Sequence, residues 1–371
     1  MKNKILKFIL SFILVICIFI IGFCALILYD YYNSTEISVN ITDSILDFGQ
    51  KIVEGDLIGD IQTTLSKIEG EQNEYSSVDY SNIIVDRYFF NQLEEEAKTI
   101  YKAFESNKDN MKTGNYKIEL GTTFSDVLSK ENGQEELGRY YQSAIEAYTY
   151  DNPDIFYINP QKMYLNIETI TKGKKIKYNV YINSGVEENY FNKEFKSEEQ
   201  INETIKKLEN VRQAVMANRK ESDYDNVKMV HDYLVETIEY DSSVSKENIY
   251  NIYGALINKE CVCEGYAKGF KYLMDGLNIP CTIVIGKAEN SSENTESHAW
   301  NYVKIDEEWY AIDVTWDDPV VVGIGSLDRS RKYKYFLLGE NEIMKDHMPS
   351  GKFTENGKTF DYPTLNKDNY K

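Results

Sequence analysis

The fold is decided by the stretch KECVCEGYA, residues 259–267, together with the amphipathic run that follows it. Apolar residues recur there at helical spacing, so the sequence predicts a helix that begins at or next to Cys263. That helix ends at Asn278-Ile279-Pro280, and residues 282–286 are predicted to form the next strand. Unpaired backbone N–H groups and the helix dipole stabilise a thiolate at a helix N-terminus, and the thiolate is the nucleophilic form of cysteine. The buried face of the predicted helix consists of Tyr266, Phe270, Leu273, Met274 and Leu277.

Two paired strands are predicted on either side of Asp306-Glu307, because apolar residues alternate from 298 to 305 and from 308 to 316. If Asp306-Glu307 is a two-residue turn, residue 298 pairs with residue 315. Asp313 is then a diagonal neighbour of His298, at about 7–8 Å between backbones, and can orient the imidazole. A three-residue turn would place Asp313 on the opposite face, so this geometry depends on the turn.

Cys263, His298 and Asp313 thus supply a nucleophile, a base and a residue that orients the base. The motifs around them are CEGYA (263–267), HAWN (298–301) and DVTWDDP (313–319). In this order and with these motifs, the chain closely resembles the transglutaminase-like superfamily, which has a papain-like fold. The resemblance covers about residues 225–350, and it extends to HDYL at 231–234, Tyr240-Asp241, YFLL at 335–338 and His347.

The resemblance implies an α+β fold, in which a papain-like, transglutaminase-like core packs the helix bearing the nucleophile on an antiparallel sheet. It also implies that Cys263, His298 and Asp313 are a catalytic triad. Cys263 would attack a carboxamide or peptide carbonyl to form a thioester, which a lysine amine or water then resolves. His298 would protonate the departing amine, and Asp313 would hold the imidazole in the right tautomer. The superfamily contains transglutaminases, peptidases, amidases and inactive relatives, so the resemblance leaves the reaction open.

Other residues are assigned subsidiary roles. The backbone N–H of Cys263 is the expected first oxyanion donor, and Tyr240 and Tyr253 are candidates for the second. Trp300 and Trp316 are expected either in the core or in the wall of the active-site groove. His231 lies within an amphipathic helix and is expected to be a core or capping residue. No metal and no cofactor are expected, because the adjacent carboxylates of Asp317-Asp318 before Pro319 are typical of a turn.

A second hypothesis is non-enzymatic. Cys263 would be a structural thiol and His298 a surface residue, in an anchored module that uses the fold to bind cell-wall peptides or a protein partner. Three cysteines, Cys261, Cys263 and Cys281, follow the N-terminal apolar run, too few for a disulfide scaffold. A Cys261–Cys281 bridge is geometrically conceivable, and the sequence leaves it open.

The N-terminus predicts a single-pass membrane anchor. Lys2, Lys4 and Lys7 precede an apolar run at 8–28, 21 residues long, which as a helix spans about 31 Å and can cross a bilayer. A cleaved signal peptide and a lipid-modified Cys24 are alternatives, but the run is long for the first and Phe23 fits the second poorly. The positive-inside rule places the N-terminus in the cytoplasm and the remaining chain outside the cell.

Composition narrows the classes of function. The chain has 371 residues, 41 Lys plus Arg against 60 Asp plus Glu, and a net charge of -19. Such an acidic chain is not expected to bind nucleic acid, whose phosphates would repel it. Segment 1–30 carries three Lys and one Asp, so the exported part has a charge of -19 - 2 = -21. Outside a Gram-positive-like cell, peptidoglycan stem peptides or surface proteins are the expected substrates.

Four regions are predicted: a cytoplasmic stub and transmembrane anchor at 1–30, a stalk at 31–84, an α/β extension at 85–205 and a transglutaminase-like catalytic domain at 206–371. The extension resembles, more weakly, one that often precedes this domain in Gram-positive surface proteins. Its elements are predicted from periodicity and turn residues. Helices are expected at 88–104, 135–148, 201–215 and 227–238, a short strand at 155–158, and a hairpin around Lys172-Gly173-Lys174.

Overall fold

A computed structural model describes residues 36–37, 62–63, 76–172, 175–244, 246–289, 295–318, 332–354 and 357–371. The predicted membrane span at 8–28 lies outside these residues. Among the described residues, no helix is both long and apolar enough to cross a membrane.

Helices and strands alternate along the described chain. The helices are α1 (Glu95–Ser106), α2 (Ser125–Leu128), α3 (Gly133–Asp151), α4 (Glu198–Met216), α5 (Asp223–Thr237), α6 (Cys263–Leu277), α7 (Val314–Asp317) and α8 (Glu340–Ile343). The strands are β1 (Glu36–Ile37), β2 (Gln62–Thr63), β3 (Ile118–Gly121), β4 (Tyr164–Lys172), β5 (Lys175–Asn183), β6 (Glu239–Tyr240), β7 (Glu260–Cys261), β8 (Cys281–Glu289), β9 (Thr295–Ile305), β10 (Glu308–Ile312) and β11 (His347–Pro349). Single turns of 3-10 helix cover Phe90–Gln92, Asn110–Thr113, Pro153–Ile155 and Pro160–Lys162, and a π-helix covers Gly254–Asn258.

Two main sheets organise the mixed α and β structure. In the first, β1, β4, β5 and β3 are neighbours in that order, and β2 pairs in parallel with β4. The second sheet has the order β10-β9-β8-β11 and is antiparallel throughout. Helix α6 packs against β8 and β9 of this second sheet. The predicted arrangement, a helix starting at Cys263 on an antiparallel sheet, is therefore confirmed.

The elements between residues 88 and 238, in the extension and just after it, follow the predicted order with two corrections. Helices α3, α4 and α5 and the β4–β5 hairpin form where the patterns predicted them, while the predicted helix at 88–104 begins only at Glu95, after a 3-10 turn. The predicted strand at 155–158 is wrong. Pro153 starts a 3-10 turn there, because its fixed φ suits the first helical position. Residues 155–158 are all buried, so the run is apolar because it packs in the core.

The β9–β10 hairpin has the predicted turn, but its second strand ends earlier than predicted. Asp306 and Glu307 have φ of 49° and 68°, as a two-residue turn with both central residues left-handed requires, and Ile305 pairs with Glu308. The predicted pairing of 298 with 315 is wrong, because β10 ends at Ile312 and the chain turns into α7.

The predicted boundary between residues 205 and 206 falls inside α4. One buried hydrophobic cluster contains residues from both sides of that boundary, among them Tyr101, Tyr148, Leu208 and Phe270. The extension and the predicted catalytic domain therefore share a core. The last residues of the predicted stalk also contact the extension, since the Tyr80 hydroxyl donates to the Glu119 carbonyl at 2.7 Å.

Candidate active site

Cys263 is the first residue of α6, and the following turns of this helix pack in the core. Val262 caps the helix in an extended conformation, so the first turn presents its N–H groups around Cys263. Tyr266 and Phe270 are fully buried one and two turns on, which fixes the helix against the core. Cys263 itself is partly exposed. A partly exposed thiol at a helix start is positioned as a nucleophile.

The other two cysteines of the described residues lie in the core as free thiols. The possible Cys261–Cys281 bridge is therefore not formed. Burial raises the pKa of both the Cys261 and the Cys281 thiol well above the ordinary value. Of the three, Cys263 is the thiol that a reagent or substrate can reach.

His298 lies on β9 between Cys263 and Asp313. Its Nε2 is 2.7 Å from Asp313 Oδ2, and the Cys263 thiol is close enough to the ring to raise its pKa. Because a carboxylate only accepts, Nε2 carries a proton, which leaves Nδ1 for the thiol. Burial alone would lower the pKa of His298, but the charge and hydrogen bond of Asp313, joined by Cys263, raise this pKa to about 10. The environment thus favours the protonated imidazole of His298 near the thiol.

Asp313 is the residue at which β10 gives way to α7. As the N-cap of α7, its Oδ1 accepts the backbone N–H groups of Thr315 at 3.0 Å and Trp316 at 3.2 Å. Burial opposes its charge, but the facing histidines outweigh burial and hold the pKa of Asp313 well below its usual range. The predicted orienting residue is therefore in place, although a helix cap and not a strand register brings it there.

His347 also contacts Asp313, a contact that the sequence patterns did not predict. Its Nε2 is 3.1 Å from Asp313 Oδ2, and its Nδ1 is 2.7 Å from Asp346 Oδ1. The ring is fully buried. It reaches this position because β11 pairs with β8, and Gly286 permits the approach, since a Cβ there would collide with the Met348 carbonyl. No local pattern marks a three-residue strand whose partner lies some sixty residues away.

Tyr335 ties a second buried histidine to the same network. Its backbone N–H donates to Asp317 at 2.8 Å, its carbonyl accepts from the Asp313 N–H at 3.1 Å, and its hydroxyl donates to Asp346 at 2.8 Å. Asp317 in turn faces His231 Nε2 at 3.1 Å. Burial raises the pKa of Asp317 to about 6, although His231 pulls it down. His231 is therefore the core residue that the sequence predicted, and it holds α7 onto α5.

Two tryptophans enclose the imidazoles. Trp300 is buried with its ring 4.9 Å from that of His347, which fits the predicted core position. Trp316 is half-buried, and its ring lies 5.2 Å from His298 and 4.7 Å from His347. Trp316 therefore covers the two histidines on one side and fits the predicted wall of the groove.

The two tyrosines named as oxyanion candidates differ in their surroundings. Tyr240 is half-buried on β6, and burial together with the nearby charge of Cys263 raises its pKa to about 12. The Tyr253 ring packs against Phe156 and Phe195 instead, and the charge that acts on it is that of Glu194. Tyr240 is the candidate that the structure brings near the thiol.

A cleft of about 500 Å³ opens beside the first turn of α6. Glu264, the residue after Cys263, lines it together with Lys268 one turn further along α6. The opposite wall comes from the extension and includes Tyr150, which packs with Cys263 against one small buried cluster. The Tyr150 ring stacks on Phe353 at 3.8 Å. The extension thus forms one wall of a cleft beside the first turn of α6.

His298, Asp313 and His347 have the residue types of a metal site, and one possible ligand atom of each lies within 4.8 Å of the others. Both imidazole Nε2 atoms, however, already face the same Asp313 oxygen at hydrogen-bonding distance. Binding an ion would require both nitrogens to lose their protons. Hydrogen bonds account for this cluster, and no metal enters the chemistry considered below.

The family model for the Transglutaminase-like superfamily matches residues 210–314, which include Cys263, His298 and Asp313. This segment is transglutaminase-like. The match supports cysteine-dependent activity in general. Within this segment, the structure places His298 Nε2 2.7 Å from Asp313 Oδ2.

Three known proteins illustrate the similarity. Kyphoscoliosis peptidase of Mus musculus is 26% identical over 148 residues, which are 35% of this chain and 22% of that protein. Cytokinesis protein 3 of Saccharomyces cerevisiae is 31% identical over 124 residues, 31% of this chain and 14% of that protein. A crystal structure of a TGase covers 45% of this chain and 46% of its own, with 15% identity and a TM-score of 0.28. The chain thus spans less than a quarter of the curated relatives it matches.

Proposed function

We propose that the protein is an enzyme that transfers acyl groups through a thioester on Cys263. The observation that carries the proposal is the position of His298, which lies 2.7 Å from Asp313 and close enough to Cys263 for the thiol to raise its pKa. In the proposed reaction, Cys263 Sγ attacks a carboxamide or peptide carbonyl, and the His298 imidazolium protonates the departing amine. Asp313 keeps the imidazole oriented and stabilises its cation.

The oxyanion that forms in this step requires donors. The N–H of Cys263 at the start of α6 is the first proposed donor, since it belongs to the first turn of a helix. Tyr240 is the proposed second donor because it lies near the thiol. The thioester is then resolved by water, giving a hydrolase, or by a primary amine, giving a cross-link. The cleft beside Glu264 offers room for a peptide on either route.

Selective alkylation tests the nucleophile. Full-length protein treated with a low dose of iodoacetamide near pH 6 should be modified rapidly at Cys263 and hardly at Cys261 and Cys281, which are buried. His298→Ala should abolish the preference, because the thiolate then loses its cation. Peptide mapping by mass spectrometry gives the rate at each cysteine. Slow labelling spread evenly over Cys261, Cys263 and Cys281 would contradict the proposal and favour the second hypothesis, a module that binds cell-wall peptides or a protein partner.

A glutaminyl peptide then separates the two outcomes of the reaction. Ammonia released without a primary amine indicates hydrolysis, whereas incorporation of the amine into the peptide indicates transfer. Cys263→Ala is the blank for both readouts. Peptidoglycan stem peptides and surface proteins are the substrates we propose, on the basis of the location inferred from the sequence.

That location is itself a proposal, which rests on the lysines and the apolar run at 8–28. A reporter enzyme that works only outside the cytoplasm, fused after Lys371, is expected to be active in intact cells. A matched fusion with Lys2, Lys4 and Lys7 replaced by Glu should lower that signal, because the charge bias sets the orientation. An inactive fusion of this reporter, with activity of a matched fusion to a reporter that works only in the cytoplasm, would overturn both the orientation and the proposed substrates.

A further inference from the structure

We propose that His347 is a buried imidazolium cation that positions Asp313 and limits how strongly Asp313 holds the proton of His298. This inference goes one step beyond the triad and rests on the proposed function for its kinetic part. In this view His347 is a positioning residue: it acts on the reaction through Asp313 and does not touch the substrate.

The charge of His347 follows from its two contacts. Its Nε2 lies 3.1 Å from Asp313 Oδ2 and its Nδ1 lies 2.7 Å from Asp346 Oδ1. A neutral imidazole has one N–H and could donate to only one of these carboxylates. Asp346 is ionised, because although burial opposes it, hydrogen bonds from His347 and Tyr335 lower its pKa. Both ring nitrogens of His347 must therefore carry a proton.

Asp313 is consequently shared. Its Oδ2 accepts from His298 Nε2 at 2.7 Å and from His347 Nε2 at 3.1 Å, while its Oδ1 accepts two backbone N–H groups. The hydrogen-bonding capacity of the carboxylate is thus filled. One negative charge faces two imidazoles, so each imidazolium cation reduces the stabilisation that Asp313 gives to the other. His347 thereby makes His298 a better acid than it would be with Asp313 alone.

Charged and titratable groups from every element packed on His347 enter this balance. Asp346 precedes it on the chain, Asp313 lies at the end of β10, and His298 faces it from β9 with a ring-to-ring distance of 5.6 Å. Tyr335 and Lys334 act through Asp346, one by its hydroxyl and the other by its charge. Removing the His347 cation from this set leaves an excess of negative charge, which should move the protonation of nearby groups to higher pH.

His231 offers a matched control within the same molecule. It is also fully buried, and its Nδ1 and Nε2 face Asp232 and Asp317, each at 3.1 Å. Among the described residues, its ring nitrogens bond to Asp232 and to Asp317, which lies one helical turn from Asp313, and not to Asp313 itself. His231→Gln therefore removes a similar buried imidazole without touching the triad carboxylate.

The first test is the protonation state itself. The chain has three histidines, so the full-length protein labelled with 15N-histidine in mild detergent should give three ring systems, assigned with the variants His347→Gln, His231→Gln and His298→Gln. We expect both ring nitrogens of His347 to be protonated at pH 8. A His347 ring with one unprotonated nitrogen at that pH would overturn the inference, whatever the catalytic activity proves to be.

The second test is the coupling to His298. In His347→Gln, the titration midpoint of His298 and the midpoint of the pH profile of Cys263 alkylation should both rise by about 1 pH unit or more. Asp346→Asn, which leaves the ring in place, should shift them in the same direction by making His347 titrate at lower pH. His231→Gln should give a smaller shift. An unmoved His298 midpoint in both variants, or equal shifts in His347→Gln and His231→Gln, would overturn the positioning role.

These readouts separate the two proposals. If Cys263 of the unmodified protein is not alkylated faster than Cys261 and Cys281, the proposed function fails, and the ring nitrogens still decide the charge of His347. If His347→Gln does not fold, Asp346→Asn and the spectrum of the unmodified protein carry the test. A purely structural role of His347 would lower the alkylation rate at every pH without moving its midpoint.

Discussion

Asp313→Asn is expected to lower the turnover of a glutaminyl peptide by about 10⁴-fold and to destabilise the fold by about 3–5 kcal/mol. The reason is the number of donors around this carboxyl group. Oδ1 accepts two backbone N–H groups and Oδ2 faces two imidazole nitrogens. An asparagine has one oxygen, so its NH₂ group must face either the N–H groups of α7 or those of the histidines. In the first case the helix cap is lost, and in the second the triad is lost.

Asp317→Asn is the control for this experiment. Asp317 is equally buried, but within the described part of the chain its side chain accepts one N–H from Tyr335 and faces one imidazole, that of His231. Its substitution should lower the free energy of unfolding and leave most of the turnover intact. Urea unfolding and ammonia release, measured on both variants, separate the two effects. If Asp313→Asn kept turnover within about tenfold of the unmodified protein, Asp313 would not orient the base.

Much of the site could be predicted from local patterns. The helix at Cys263 follows from the apolar stripe between Tyr266 and Leu277, and the hairpin at Asp306-Glu307 follows from alternation on both sides. These signals are local because the periodicity of one element decides which face is buried. The order of the nucleophile Cys263, the base His298 and the orienting residue Asp313 could therefore be inferred, together with the approximate geometry of the three residues.

The position of Asp313 depended on competition between two local structures. Alternation predicted that the strand continues to residue 316, whereas an aspartate that bonds the N–H groups two and three residues ahead starts a helix instead. A helix of a single turn is too short for periodicity to reveal. The preference of aspartate for the N-cap position was the signal that could have indicated this end of β10.

His347 could not be placed from local patterns at all. Its contact with Asp313 requires β11 to pair with β8, and it requires Tyr335 to bridge Asp313, Asp317 and Asp346. All of these contacts join residues far apart in the sequence. The strand prediction at 155–158 was wrong for a related reason, since buried positions are occupied by apolar residues whether they form a strand or a turn.

Raising the pH from 6.5 to 9.5 is expected to lower the free energy of unfolding by a few kcal/mol through His298. In the folded protein burial opposes the cation, but Asp313 and Cys263 raise the pKa of His298 to about 10, whereas an unfolded histidine has a pKa of about 6.5. The folded state therefore binds the proton more tightly. The contribution of His298 to stability is complete below pH ~6.5 and is lost as the pH rises through the pKa of His298 in the folded protein. A one-unit difference in pKa between the two states corresponds to about 1.4 kcal/mol.

Urea unfolding at several pH values, compared between the unmodified protein and His298→Gln, isolates this contribution. Tyrosine and lysine side chains that titrate near pH 10 act on both proteins alike, so the difference between the two curves belongs to His298 and the groups bonded to it. The difference should shrink steadily from pH 6.5 to 9.5. Asp313 acts in the opposite sense, because its lowered pKa gives stability that is present above pH ~3.9 and lost only in acid. A difference that stayed constant up to pH 9.5 would mean that His298 is neutral in the folded protein, and the thiolate–imidazolium pair on which the proposed reaction depends would then not form at rest.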